Sequence, residues 1–434
     1  MPETALREVQ AILQSLQAGV APRTGLQHLA VGRVAELRQA LSELEVLGSG
    51  GGVFKVIAGD YGAGKTFFLS LLRQVALARG YVVADADLSP DLRLHGEGHG
   101  LATYAQLTAR LSSESRADGG ALAVVLDRWS DQIRRDASQR LGDAEAVGRS
   151  PALATAVDRA LRARLRLIME QPSGFAFAAV LRRYYEAALA GDEEMAAAAM
   201  RFVRGDFRTA GACRAALRLS GITPITDASW YEHLRLLALL AVDAGYKGLL
   251  VMLDEGVHLV RIAQPTARAS NYDVLLRLLN DALQGRSPHL GFYLAGPPEM
   301  VHDPHRGLYS YPALRSRLQT NPFVDGSHRD LTQPVLVLQP LSAAEFLALL
   351  LKVRDLHAHF YGPCRISEQD VQTFLERLLA RPGAERFLTV RETLRLFLQA
   401  LNVLQQNPDL DRAAVLHDAE EEITQSDFVE VEMP

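Results

Sequence analysis

Gly59-Asp60-Tyr61-Gly62-Ala63-Gly64-Lys65-Thr66 fits the spacing G-x-x-x-x-G-K-[ST] at every required position. Those residue types suit one kind of ligand, a chain of phosphates. The glycines let backbone N–H groups turn inward and cradle phosphate oxygens. Lys65 reaches the β- and γ-phosphates, and the Thr66 hydroxyl can ligate Mg²⁺. Phe67 follows in the first turn of a helix whose positive dipole end faces the same anion.

A second constellation lies far along the chain. Lys247-Gly248-Leu249-Leu250-Val251-Met252-Leu253-Asp254-Glu255 reads as a buried apolar strand ending in two acids. A carboxylate at the C-terminal end of a parallel strand faces the crevice where ligands bind. Asp254 can hold Mg²⁺, and Glu255 can polarise a water for attack on a γ-phosphate. The plainer reading is a pair of acids at a solvated strand end. The glutamate points to hydrolysis rather than transfer, and the H-R-D and D-F-G kinase signatures are absent. Phosphoryl transfer also gains from a cation on the developing charge. Arg315 and Arg317 follow a later strand, and Arg391 opens a late helix; each competes with a reading as surface arginine. His258 reads as a packed or surface histidine.

These groups need elements to hold them. The run 52–58 is a short strand before the phosphate loop, and Phe68, Leu69, Leu72 and Val75 mark one face of the helix after it. With Tyr81–Ala86 as the next strand, this is a parallel βαβ unit. Further strands are predicted at 247–254, 289–296 and 335–338. Helices are expected at 5–18 and to about Leu47. Residues 101–220 read as several helices, one over 151–170. That stretch carries Arg159, Arg162, Arg166, Arg182, Arg183, Arg201, Arg204, Arg208, Arg214 and Arg218. They read either as solvated surface paired with nearby acids or as a contact face for nucleic acid or a partner protein. Ser229 with Glu232 forms a capping-box pattern, as do Ser342 with Glu345, Ser367 with Asp370 and Thr389 with Glu392. The last three predict helices at about 342–360, 367–380 and 389–405. The segment after Asp409 is acidic and reads as a partly disordered tail.

The 434 residues, 48% hydrophobic and 22% charged, can bury a sizeable core. A net charge of −5 excludes a uniformly basic nucleic-acid coat, although a local basic patch remains open. Cys213 and Cys364 show neither metal spacing nor a disulfide framework. With no signal peptide and no run of about 20 apolar residues, a cytoplasmic location without a membrane span is expected.

The ordered set resembles the AAA+ ATPase superfamily: a phosphate loop, a strand ending Asp-Glu, a later strand, an arginine-bearing helix and a helical lid opened by an arginine. More closely, the chain resembles the BREX phage-defence ATP-binding family of the BrxC/BrxD type. The matching stretches are Ala21–Leu26 with Val31-Gly32-Arg33, then Gly59–Phe68, Ala244–Glu255, Ala295–Glu299 and Leu401–Pro408. The resemblance implies a P-loop NTPase α/β fold of the AAA+ kind. It implies a mostly parallel sheet with helices on both faces, a helical insertion at about 101–225 and a C-terminal helical lid.

The expected divisions are an N-terminal helical segment 1–48, an ATPase domain 49–340, a lid 341–408 and an acidic tail 409–434. ATP and Mg²⁺ are implied at Lys65, Thr66, Asp254 and Glu255. Gly32 and Arg33 would lie beside the adenine, with an arginine finger at Arg315 or Arg317 and a lid arginine at Arg391. Partners implied are proteins of a defence system, DNA through the arginine-rich insertion, and further copies of the chain. One departure stands out. Ala295-Gly296-Pro297-Pro298 lacks the polar residue that the superfamily places at the end of that strand. The expected activity is therefore an ATPase. The alternative is an ATP-dependent switch or scaffold with little intrinsic turnover. A third reading, a small-molecule kinase, would consume ATP only with an acceptor.

Overall fold

The computed structural model describes residues 3–431 apart from 21, 23, 142–150, 320, 322, 324–328 and 382–388. Ala21 and Arg23, quoted for the family resemblance, lie outside the described residues, as does Glu432 of the tail.

Five strands form one parallel sheet: β1 Val53–Ala58, β2 Val82–Asp87, β3 Leu249–Asp254, β4 Leu290–Gly296 and β5 Val335–Val337. Their order is β2-β3-β4-β1-β5. The expected α/β class with its parallel sheet is therefore what the chain adopts. β4 is buried along its whole length, and β3 up to its last residue. That is why both read as near-continuous apolar runs rather than as alternating ones. β2 differs: Val83, Asp85 and Asp87 share one face, Val82, Ala84 and Ala86 the other. Its register against β3 runs from Val82↔Leu249 to Asp87↔Asp254.

The chain divides into two units by its internal contacts. One comprises Met1–Arg38, Ala58–Gln74 and Val337–Pro434; the other comprises Gln39–Ile57 and Val75–Leu336.

The larger unit holds most of the sheet and the arginine-rich helices His99–Ala109, Leu122–Leu141, Pro151–Met169, Gly174–Ala190, Glu193–Arg204 and Ala210–Leu217. Many of these arginines are ion-paired. Arg162 and Arg182 share Asp158 at 2.7 and 2.8 Å, Arg182 and Arg183 also meet Glu186, and Arg166 meets Glu170. Arg164, largely buried, bridges Asp136 at 2.8 Å and Asp243 at 2.7 Å. Among the described residues, Arg204, Arg208 and Arg218 have no carboxylate partner. The helix Trp230–Asp243 starts where the sequence places it, but the capping box does not form. The Ser229 hydroxyl accepts from Thr226 N–H at 3.0 Å instead, and Glu232 turns to Arg277.

The smaller unit is helical around one apolar core. Ile12, Leu350, Val353, Phe374, Phe397 and Leu401 are buried at its centre, and Phe67 of the phosphate-loop helix packs against it. Its helices are Glu3–Gln17, Ala343–Tyr361, Glu368–Leu379, Val390–Gln406 and Arg412–Val431. Ser342 with Glu345 and Ser367 with Asp370 form complete capping boxes, and the Thr389 hydroxyl caps the Glu392 N–H. The segment read as a tail is thus helical over Arg412–Val431. Its acids concealed a short stripe: Leu416 is buried, and Val415 and Ala419 pack against the core. Glu420, also buried, lies within ion-pair range of Arg377, Arg381 and His417.

Buried His357 in this core sits 3.0 Å from Asn402 Oδ1. Burial holds its pKa below the ordinary value of 6.5, and the Asn402 bond only partly opposes that. The unfolded chain therefore takes up a proton before the folded one does. The stability His357 allows is fully present above about pH 6.5 and is lost as pH falls towards the folded pKa, by at most about 1.4 kcal/mol per pH unit. His357→Gln should flatten the decline of melting temperature between pH 7.5 and 5.5. Identical slopes in the two proteins would remove His357 as the cause.

Candidate functional site

The phosphate loop leaves the end of β1 and enters the helix Lys65–Ala78. Gly62 and Gly64 both take left-handed backbone, with φ of 81° and 85°. Only glycine does so without a Cβ penalty. Lys65 is the first helical residue. Its Nζ donates to the carbonyls of Gly59 at 2.6 Å and Asp60 at 2.8 Å, so the amine lies over its own loop. Tyr61 and Thr66 are exposed beside it.

Arg33 braces this loop from another segment. Its guanidinium donates to Ala63 O at 2.8 Å and to Gln339 O, and lies 3.7 Å from Glu36. Two consecutive left-handed residues, Gly32 at φ 63° and Arg33 at φ 58°, make the turn that aims it. A Cβ at Gly32 would collide with the carboxylate of Glu345, which is fixed in its capping box. The helix Val390–Gln406 also reaches the loop through its cap: Thr389 Cβ lies 3.4 Å from where a Gly62 Cβ would sit. Arg391, two residues on, is exposed and has no side-chain partner among the described residues. The smaller unit thus brings together Gly59–Phe67, Gly32, Arg33 and the start of the helix Val390–Gln406. The sequence marks Thr389 as a helix cap, but its place beside Gly62 and the Arg33–Gln339 bond are not legible there, because both contacts join segments far apart in the chain.

The larger unit carries the acids. Asp254 ends β3, half-buried, and its Oδ1 accepts the Glu255 N–H at 2.8 Å. Glu255 is exposed and sits at φ 55°, a left-handed conformation unfavourable for a residue with a side chain. Such strain persists only where the surroundings enforce it, and it clusters at functional sites. Here the enforcing contact is the next residue: Gly256 N–H donates to Ala295 O at 2.8 Å, fixing the turn to the end of β4. The β4 end itself is apolar. Fully buried Met300 packs against both Gly256 and Gly296, where a Cβ on either would strike its sulfur.

The arginines after β4 differ from each other. In the helix Pro312–Leu318, Arg317 donates to Asn280 Oδ1 at 2.6 Å and to Ala313 O at 3.0 Å. Arg315 is exposed, with no side-chain partner among the described residues. Next to β3, Asp87 at the end of β2 stands in register with Asp254 and pairs with Arg110 at 2.9 Å. The alternating Ala84-Asp85-Ala86-Asp87 was a visible signal for that carboxylate.

A hard cation such as Mg²⁺ takes one or two protein oxygens and completes its shell with phosphates and water. The Thr66 hydroxyl and the Asp254 carboxylate are donors of that kind. Each is an oxygen donor of the kind that meets a nucleotide-borne ion; among the described residues no group of three or more His, Cys, Asp or Glu could hold a metal ion. Among the described residues, no helix is long and apolar enough to cross a membrane.

A family model described as BREX system ATP-binding protein BrxC/D matches residues 5–420. No curated protein matches the chain. The chain belongs to this family of BREX ATP-binding proteins, which act in phage defence, and the sheet order β2-β3-β4-β1-β5 accords with its placement in the AAA+ superfamily.

Proposed function

We propose that the protein hydrolyses ATP in a Mg²⁺-dependent way and that its defence role runs through this cycle. The observation that carries the reading is Glu255, held at φ 55° directly after the half-buried Asp254 at the end of a central strand. A side chain kept in a costly backbone conformation at that point suits the orientation of an attacking water. In this reading the amides of Gly59–Thr66 bind the polyphosphate, and Lys65 exchanges its loop carbonyls for phosphate oxygens. Thr66 and Asp254 would hold the cation, whose charge would offset that of the phosphates. Glu255 takes the water's proton. Arg315, with no side-chain partner among the described residues, is the better candidate than Arg317 for a cation offered to a neighbouring copy's nucleotide. Arg391 would report nucleotide to the lid.

A second reading is favoured by the apolar end of β4. With Met300 beneath Gly296 and no polar side chain at that point, water positioning rests on Glu255 alone. Basal turnover is then slow, and a partner protein or DNA raises it. Of the arginines named in the insertion, Arg159, Arg201, Arg204, Arg208, Arg214 and Arg218 have no carboxylate partner among the described residues and are the ones left for DNA.

The test is phosphate release by the purified protein, with and without single- and double-stranded DNA, alongside Lys65→Ala. Wild type should release phosphate, and Lys65→Ala should lose nucleotide binding by roughly 100-fold or more, as expected for a desolvated charge–phosphate contact. Equal ATP binding by both proteins would sink the assignment of the loop. Tight binding with no phosphate release under any condition would leave the switch reading.

A further inference from the structure

The strand-end carboxylates are more numerous than the proposed mechanism uses. Asp87 and Asp254 are in-register neighbours on adjacent parallel strands, so they project from the same face, and Asp85 lies two residues back on that face. Leu88 N–H donates to Asp254 O at 3.0 Å, which fixes the two strand ends together. Arg110 answers this charge. Its Nη1 lies 2.9 Å from Asp87 Oδ2 and 3.3 Å from Asp85 Oδ2.

Arg110 is held in place by its own backbone. It caps the helix His99–Ala109 and runs straight into a short antiparallel bridge on the outer edge of β2. There Ser112 N–H donates to Val83 O at 2.7 Å, and Val83 N–H to Ser112 O at 3.0 Å. The Ser112 hydroxyl donates back to Arg110 O at 2.9 Å.

We propose that Arg110 is a positioning residue for the nucleotide site: it keeps the Asp87 carboxylate engaged, so that Asp254 alone of the three aspartates faces the cation and the polyphosphate. The inference rests on the reading of Asp254 as a Mg²⁺–ATP residue. Without Arg110, the Asp87 carboxylate loses its counter-charge beside Asp254. It repels the triphosphate and offers a nucleotide-free cation an extra ligand. One uncompensated charge near a polyanion changes binding by up to about tenfold at low salt, and by less once salt screens it.

The experiment uses the full chain, a fluorescent ATP analogue and Mn²⁺ followed by electron paramagnetic resonance. Arg110→Gln should weaken analogue binding roughly tenfold at low salt, less so at about 0.5 M salt, and should tighten Mn²⁺ binding in the absence of nucleotide. Adding Asp87→Asn to that variant should return both isotherms to within about twofold of wild type, and Arg110→Lys should stay close to wild type. If Arg110→Gln lowers the melting temperature while both isotherms overlay wild type, Arg110 only stitches the sheet edge and the inference falls. It also falls if Asp87→Asn fails to restore binding. Should Arg110→Gln not fold, Asp87→Asn alone carries the test: it should tighten analogue binding roughly threefold, and unchanged binding overturns the inference. Failure of wild type to bind the analogue would instead remove the ATP-site reading, which the variant arms cannot imitate.

Discussion

Glu255→Gln is expected to give a protein that binds ATP like wild type and releases phosphate about 10²- to 10⁴-fold more slowly, the usual contribution of a general base. The amide is nearly the same size as the carboxylate but cannot accept the proton of the attacking water. Glu255 is exposed, and no side-chain bond or ion pair involves it among the described residues, so the change should leave the fold alone. The backbone supplies a control. Glutamine keeps the left-handed strain at φ 55°, whereas Glu255→Gly relieves it. The glycine variant should therefore be equally inactive yet more stable, by up to about 1 kcal/mol once the added freedom of its unfolded chain is counted. Single-turnover phosphate release, analogue binding and melting temperature separate these effects. A glutamine variant with wild-type turnover would end the assignment of Glu255 as the base.

Glu43→Ala should be among the most destabilising single changes in the chain, at about 3–5 kcal/mol. The Lys55 ammonium on β1 is 3% exposed and lies 2.6 Å from Glu43 Oε1. It also donates to the carbonyls of Leu331 at 2.9 Å and Gln333 at 2.7 Å. Glu43 in turn accepts from the Tyr293 hydroxyl on β4 and from Gln39 at 3.0 Å. Removing the carboxylate leaves a buried ammonium without its counter-charge and a buried phenol without an acceptor. Replacing both partners, as Glu43→Leu with Lys55→Met, should recover much of the loss, because the unpaired charge goes with them. Urea denaturation of the single and double variants measures this. Equal destabilisation in both would mean that packing around Glu43, not the charge, matters.

What could be read from the sequence follows the range of each signal. All five strands appear where apolar runs and turn residues place them; for β3 and β4, burial on both faces leaves the clearest local mark. Two capping boxes are complete where Ser-x-x-Glu or Ser-x-x-Asp precedes an apolar stripe. The same pattern at Ser229 fails because Thr226 lies close enough to claim the hydroxyl, a competition that spacing cannot show. Acid-rich composition hid the Val415, Leu416 and Ala419 stripe, which packs only once a core from distant segments exists. The phosphate loop and the Asp254-Glu255 pair stand out because their residue types are dictated by chemistry. Arg33 on Ala63, Thr389 beside Gly62 and Arg110 on Asp87 do not. Each depends on a contact 23 residues away or more, and an arginine or threonine carries no local sign of its partner.

The unit containing the phosphate loop is woven from three stretches, ending in one that begins at Val337. During synthesis its first stretch, closing at Arg38, waits for that last one while the whole of Val75–Leu336 is made. At about 5–20 residues per second the delay is roughly 15–60 s. Over that interval the Gly59–Thr66 loop exists without Gln339 to anchor Arg33 and without the helical core that receives Phe67. A ribosome-bound chain would thus show nucleotide protection late and abruptly. A premature stop beyond the sheet would silence the loop while leaving every residue of its motif intact.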